Sequence, residues 1–189
     1  MRILVLNGSP HKNGTVAKLL NGVVEGISDD HEVEWINVYE LNIKPCIGCM
    51  KCRSDQECCL PEDDGHIVGG KIRDADGLIV GTPTHWGNMS AQLKLLFDRN
   101  VPVFMGEKPN GIPCPRQKGK PAVIAAACTT PWPFNFIAAE SRGAIRSVNE
   151  ILHYGGYRVM GKIVKAGTKA KPEIPEGLLR KAKMLGNRF

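Results

Sequence analysis

The chain has 189 residues, 42% of them hydrophobic, which is enough for one core and sets the expectation of one domain over residues 1–189. No stretch approaches the ~18 consecutive apolar residues of a membrane span, and the start has no signal-peptide architecture, so the expected location is the cytoplasm. The net charge of +6 comes mainly from late lysines and arginines without interleaved aromatics, so a solvated basic surface is favoured over nucleic-acid binding.

Ile3 to Leu6 is an uninterrupted apolar run, as expected of a parallel strand buried on both faces. The following loop, N-G-S-P-H-K-N-G-T, is rich in glycine and hydroxyl residues. A helix follows over 14–27, with Val16, Leu19, Leu20, Val23 and Val24 at helical spacing. Strand, small-residue loop and helix N-terminus together make an anion site, because free N–H groups and the positive end of the helix dipole meet there. The loop lacks both the Lys-Ser/Thr ending of a triphosphate loop and the dinucleotide G-x-G-x-x-G, so it suits a single phosphate monoester. An ordinary turn capped by Thr15 is the plainer reading.

Residues 32–38 read as strand 2. The segment from about 44 to 64 then has no periodicity and carries five cysteines. Connections of that length are usually functional. Cys46, Cys49 and Cys52 form C-x2-C-x2-C, and Cys58 and Cys59 follow closely. Two short gaps let three thiolates meet on one compact cluster, with Cys58 as fourth ligand or Cys59 in its place. Zinc sites more often split into two separated pairs. The spacing leaves three states open: a [4Fe–4S] cluster, free thiols, or zinc. Cys114 and Cys128 lie apart and read as structural.

A short helix is expected over 65–74, and G-L-I-V-G at 77–81 is the clearest central strand after the first. The loop T-P-T-H-W-G-N follows, then a helix capped by Ser90 and ending near Arg99. Taken singly, Trp86 reads as a buried aromatic and His85 as an exposed loop histidine. Together with Pro83 and Gly87 they suit a flat heteroaromatic ring, which needs apolar walls, close backbone approach and a few edge donors. Residues 101–120 form a Pro/Gly/Lys-rich excursion. A fourth strand is expected over 121–127, a loop C-T-T-P-W-P-F-N, a helix over 136–154, a fifth strand over 157–164 and a terminal helix over 175–185. The prolines and aromatics of that third loop serve equally as a ring ledge or an oligomer contact.

Five alternations of strand and helix predict an α/β fold: a flavodoxin-like, doubly wound, five-stranded parallel sheet in order 2-1-3-4-5 with the cysteine-rich loop after strand 2. Ligands of such sheets sit outside the carboxyl ends of the strands, where the loops after strands 1, 3 and 4 converge.

N-G-S-P-H-K-N-G-T, P-C-I-G-C-M-K-C, E-D-D-G-H-I and G-T-P-T-H-W-G-N-M-S-A-Q-L-K-L-L-F-D-R resemble the NADPH-dependent FMN reductase superfamily, and within it the iron–sulfur flavoprotein branch. The resemblance implies bound FMN and redox catalysis, in dimers or tetramers. It implies that Ser9, Lys12, Asn13, Thr15 and Val16 hold the phosphate. Pro83, Thr84, His85, Trp86, Gly87 and Asn88 would line the isoalloxazine, and Thr129 and Thr130 would close it. Gly14 stands where the family usually has Asn or Ser before the threonine. The expected activity is an FMN-dependent oxidoreductase, with NAD(P)H or ferredoxin as donor, a small-molecule redox substrate, and His85 as the candidate acid. The alternatives are an electron carrier without substrate turnover and a regulatory module that reads a phosphate. Neither nucleic acid nor membrane is an expected partner.

Overall fold

The structure is a computed structural model and describes residues 1–108 and 110–189. Pro109, inside the expected excursion, lies outside the described residues. In chain order the elements begin with β1 (Arg2–Asn7), α1 (Thr15–Val24) and β2 (Glu32–Asn37). Next come α2 (Lys51–Ser54), α3 (Asp64–Asp74), β3 (Gly77–Pro83), α4 (Ala91–Arg99) and α5 (Val101–Phe104). They continue with β4 (Met105–Glu107), β5 (Pro113–Pro115), β6 (Pro121–Ala127), α6 (Phe134–Ile137), α7 (Glu140–Gly155), β7 (Arg158–Lys165) and α8 (Glu176–Gly186).

Five strands form one sheet in order β2-β1-β3-β6-β7, all neighbours parallel. This is the expected order once β4 and β5 are counted. Alternate residues of a strand point to opposite faces, and the core divides accordingly. Leu4, Leu6, Leu78 and Val80 face Ile72, Leu93, Phe97 and Leu152 from α3, α4 and α7. Ile3, Val5, Ile79 and Val123 face Leu19, Leu20, Val23 and Leu185 from α1 and α8. Burial on both faces is why these strands read as continuous apolar runs.

Two segments depart from the expected pattern. Residues 101–120 hold a short helix and an antiparallel ribbon, β4 with β5. Pro102, Val103 and Phe104 are buried and anchor the segment. Strands of three residues are too short to show an alternation. The helix expected over 136–154 is two helices, separated at Ala139, whose φ of 58° is left-handed. That turn seats the start of α7 against the loop after β3: a Cβ on Gly143 would lie 1.9 Å from the Gly87 carbonyl oxygen.

Tyr157 is buried against Phe104, with ring centroids 6.1 Å apart, and its hydroxyl has no partner. Burial pushes its ionisation well above the ordinary tyrosine range. An unpaired buried hydroxyl costs more than it returns, so Tyr157→Phe is expected to leave stability unchanged or raise it by up to about 1 kcal/mol. A urea-unfolding midpoint measures this, and a fall in the midpoint contradicts it.

Candidate functional site

The loop after β1 is held by its main chain. The Gly8 N–H donates to the Gly81 carbonyl oxygen at 2.8 Å, and the Gly8 oxygen accepts from Ser90 Oγ at 2.7 Å. A Cβ on Gly8 would meet that Gly81 oxygen at 2.9 Å and Leu93 at 3.1 Å, so only glycine lets the two strands end this close together. The Ser9 N–H donates to Asn7 Oδ1, and Ser9 Oγ accepts from the His11 N–H, both at 3.2 Å. Gly14, not Thr15, is the residue before α1, and no side chain caps the helix. The first N–H groups of α1 therefore remain available to an anion. Ser9 and Val16 are buried, Thr15 is half-buried, and Lys12 and Asn13 are exposed. The Lys12 ammonium is paired with Glu40, whose carboxyl is held below its usual range by Lys12 and then by Asn37.

The loop after β3 is a two-residue hairpin. His85 and Asn88 exchange N–H···O bonds of 2.9 Å in both directions, with Trp86 at φ 50° and Gly87 at φ 70°. Two successive left-handed residues are the geometry of a tight reverse turn; Gly87 adopts it freely and Trp86 at a cost. The strain presents the indole outward: Trp86 is fully solvent-exposed, not buried as a lone aromatic would suggest. His85 and Asn88 are also exposed, whereas Pro83 and Thr84 are half-buried. The Ser90 hydroxyl does not cap α4; it ties this loop to Gly8, while its N–H donates to Thr82 Oγ1 at 2.9 Å. Sequence reasoning missed Thr82 and Gly8 as organising residues, and periodicity carries no signal for either.

The loop after β6 joins the same edge. The Thr84 N–H donates to the Ala127 oxygen at 2.8 Å, and Thr130 Oγ1 donates to Glu140 Oε2 at 2.6 Å. Thr129 is exposed and Thr130 half-buried. The Thr84 hydroxyl oxygen is buried and has no hydrogen-bond partner. A shielded hydroxyl without a partner is costly, which is what a ligand-facing group looks like before the ligand arrives. The three loops are thus linked to one another at the carboxyl edge of the sheet.

The cysteine-bearing segment is clamped at both ends by Arg99, whose side chain is almost wholly buried. Nη1 donates to the Lys44 oxygen at 2.6 Å and to Asp63 Oδ2 at 2.7 Å, and Nη2 donates to Asp63 Oδ1 at 3.2 Å. Asp63 also caps α3 by accepting from the Gly65 N–H at 2.9 Å. Burial opposes the Asp63 charge, but the Lys44 N–H, Arg99 and the Gly65 N–H outweigh it and lower its ionisation to about 2. Cys46, Cys49, Cys52, Cys58 and Cys59 all line one cavity of about 140 Å³ that Arg99 also borders. Burial, then the neighbouring thiols of Cys46, Cys58 and Cys49, push the Cys52 thiol up.

The expected convergence of thiolates is nevertheless not realised. Among the described residues no three Cys, His, Asp or Glu side chains come together as a metal-holding group. Gly48 and Met50 are left-handed on either side of Cys49, and α2 begins immediately after. The thiols line the cavity without gathering at one point, and Cys46, Cys49 and Cys59 are exposed. Cys49 and Cys59 approach to 3.5 Å between sulfurs. Cys128 is buried, its thiol directed to the Thr130 oxygen at 3.4 Å.

A doubly wound parallel sheet in this order, with its crossover loops meeting beside an uncapped helix N-terminus, defines a flavodoxin-like fold. Residues 1–153 match the family described as NADPH-dependent FMN reductase, and the chain belongs to that family. It is thereby a flavin-dependent oxidoreductase. A relative from Methanocaldococcus jannaschii named iron–sulfur flavoprotein is 30% identical over 164 residues, 82% of this chain and 81% of that one. Further relatives of the same name, from Archaeoglobus fulgidus and Methanosarcina thermophila among others, are matched over about half their own length. A Streptococcus mutans UA159 structure superposes over 100% of both chains with a TM-score of 0.78 at 21% identity. An FMN-dependent NADH-azoreductase from Bacillus anthracis, solved with FMN, covers 99% of this chain and 96% of its own, with a TM-score of 0.72 at 13% identity. At these identities the likeness is one of fold. Among the described residues no helix is long and apolar enough to cross a membrane.

Proposed function

We propose that this chain binds one FMN at the joined loops and passes electrons from reduced nicotinamide to a small-molecule acceptor. The observation that carries the reading is the linkage of the three loops into one edge, with a buried, partnerless Thr84 hydroxyl inside it. FMN, when bound, accepts hydride and returns electrons one or two at a time. The protein's part is to bind, orient and exclude water. Ser9, Lys12, Asn13, Thr15 and Val16 hold the phosphate, through side chains where they reach and otherwise through α1 N–H groups. Lys12 must exchange Glu40 for the phosphate, a small cost for an exposed ion pair. Pro83, Thr84, His85, Trp86, Gly87 and Asn88 line the ring, and Thr129 and Thr130 close it. His85 is exposed at the hairpin and is placed to exchange a proton with solvent.

The five thiols suit iron chemistry by type, and the relatives' names point the same way. We assign Cys46, Cys49, Cys52 and Cys58 as ligands of a [4Fe–4S] cluster, with Cys59 as the alternative fourth, and ferredoxin as the donor or acceptor served by it. Reaching that state requires the segment to draw its thiols together, since no three of them meet among the described residues. The exposed Trp86, Trp132, Phe134 and Phe136 support assembly as a homodimer or homotetramer.

Titrating the anaerobically purified chain with FMN is expected to change flavin fluorescence saturably. Adding NADPH is then expected to bleach the flavin rapidly, with iron and sulfide present in equal amounts. Unchanged fluorescence overturns the flavin site. Bleaching by reduced ferredoxin but not by NADPH turns the enzyme into a carrier. Flavin without iron removes the cluster alone.

A further inference from the structure

Five cysteines surround a cavity for which a cluster needs four. The fifth has a geometric assignment. Cys49 and Cys59 are separated by ten positions in sequence, yet their sulfurs lie 3.5 Å apart, and both residues are exposed. A disulfide requires sulfurs at about 2 Å and Cβ atoms at about 4 Å, so closing this pair takes a small side-chain movement. Gly48 and Met50 are left-handed on either side of Cys49. A Cβ on Gly48 would meet nothing within 4 Å, so the chain beside Cys49 has room to move.

We propose that Cys49 and Cys59 are a reversible disulfide site, closed by a low-molecular-weight disulfide of the glutathione type. The Cys49 thiolate attacks one sulfur of the small disulfide. A Cys49–glutathione bond forms, the small disulfide's own bond breaks, and one glutathione thiolate leaves. The Cys59 thiolate then attacks the Cys49 sulfur, forming the internal bond and expelling the second glutathione. Two cysteines are oxidised by two electrons in total. One small disulfide is reduced to two thiols, which take up the two protons. Closing the bond removes Cys49 from any ligand set and leaves Cys46, Cys52 and Cys58 open. In the cluster-free chain Cys59 is thus the resolving thiol of the segment. This goes beyond the flavin reading and does not depend on it, since none of these atoms lies in the three loops.

The test uses the full chain, reduced with dithiothreitol, freed of iron with a chelator, and exposed to glutathione disulfide. Free thiols are counted and the intact mass is measured without reduction. The wild type is expected to lose two of its seven thiols and to retain no glutathione. Cys59→Ser is expected to trap one glutathione and form no internal bond, while Cys58→Ser closes as the wild type does. Dithiothreitol is expected to restore every thiol. The proposal is overturned if the wild type keeps seven thiols, if Cys59→Ser still closes an internal disulfide, or if Cys58→Ser fails to close one. FMN uptake by the same samples reads the flavin site separately.

Discussion

Replacing Arg99 by methionine is expected to destabilise the protein by about 3–5 kcal/mol, the cost of leaving a buried charge without its partner. Asp63 would lose both guanidinium bonds, and the Lys44 carbonyl its donor. Methionine fills much of the arginine volume, so the loss reads the charge pair and not a cavity. Arg99→Lys restores the charge but not the forked geometry that reaches Lys44 and Asp63 together, and its expected loss is intermediate. The pH dependence fixes the sign. Asp63 ionises near 3.8 in the unfolded chain and at about 2 in the folded one. Its contribution is full above the unfolded value and disappears as pH falls through the folded one. Between about pH 4 and pH 2 the wild type is expected to lose about 2 kcal/mol on this account. Asp63→Asn should lack that component. Urea unfolding of wild type and variants at both ends of the window checks it; parallel pH profiles for wild type and Asp63→Asn sink it. The consequence for function is local, because the clamp joins the two ends of the cysteine segment.

Arg99 also marks what a single sequence conveys. Ile3 to Leu6 announced a central strand because burial on both faces leaves no polar alternation. The alternation of strands with helical periods announced the sheet order. The joining of the loops after β1 and β3 was legible only as topology. The atoms that do the joining, the Ser90 hydroxyl and the Gly8 carbonyl, are 82 positions apart and share no local pattern. In the sequence Arg99 stands only at the end of a helix, and nothing in its neighbourhood points to Asp63, 36 positions earlier. The cysteine spacing singled out five thiols, and these line one cavity. Spacing counts residues and not directions, and the left-handed Gly48 and Met50 turn the thiols in ways it does not encode. The exposure of Trp86 is hidden from the sequence in the same way: it is fully solvent-exposed on a left-handed backbone, where a lone aromatic reads as buried.

Thr84→Val separates a ligand-bearing hydroxyl from a structural one. Valine keeps the β-branched shape and removes an oxygen that is buried without a partner. The FMN-free protein is therefore expected to be as stable as the wild type or slightly more so, since a burial penalty disappears and no protein hydrogen bond is lost. FMN affinity is expected to fall about tenfold, the worth of one hydrogen bond of about 1.4 kcal/mol to the bound ligand. Thr84→Ser, which keeps the hydroxyl, is expected to recover most of that affinity while losing a little packing. The main-chain bond from Thr84 to Ala127 at 2.8 Å survives in all three proteins, so the loop's position is common to them. Fluorescence titration with FMN and urea unfolding of the FMN-free chain give the two numbers. A valine variant that binds FMN like the wild type would remove Thr84 from the ring site. One that is destabilised without FMN would mean its hydroxyl serves the fold, and the opposite movement of stability and affinity is what only a ligand-facing group produces.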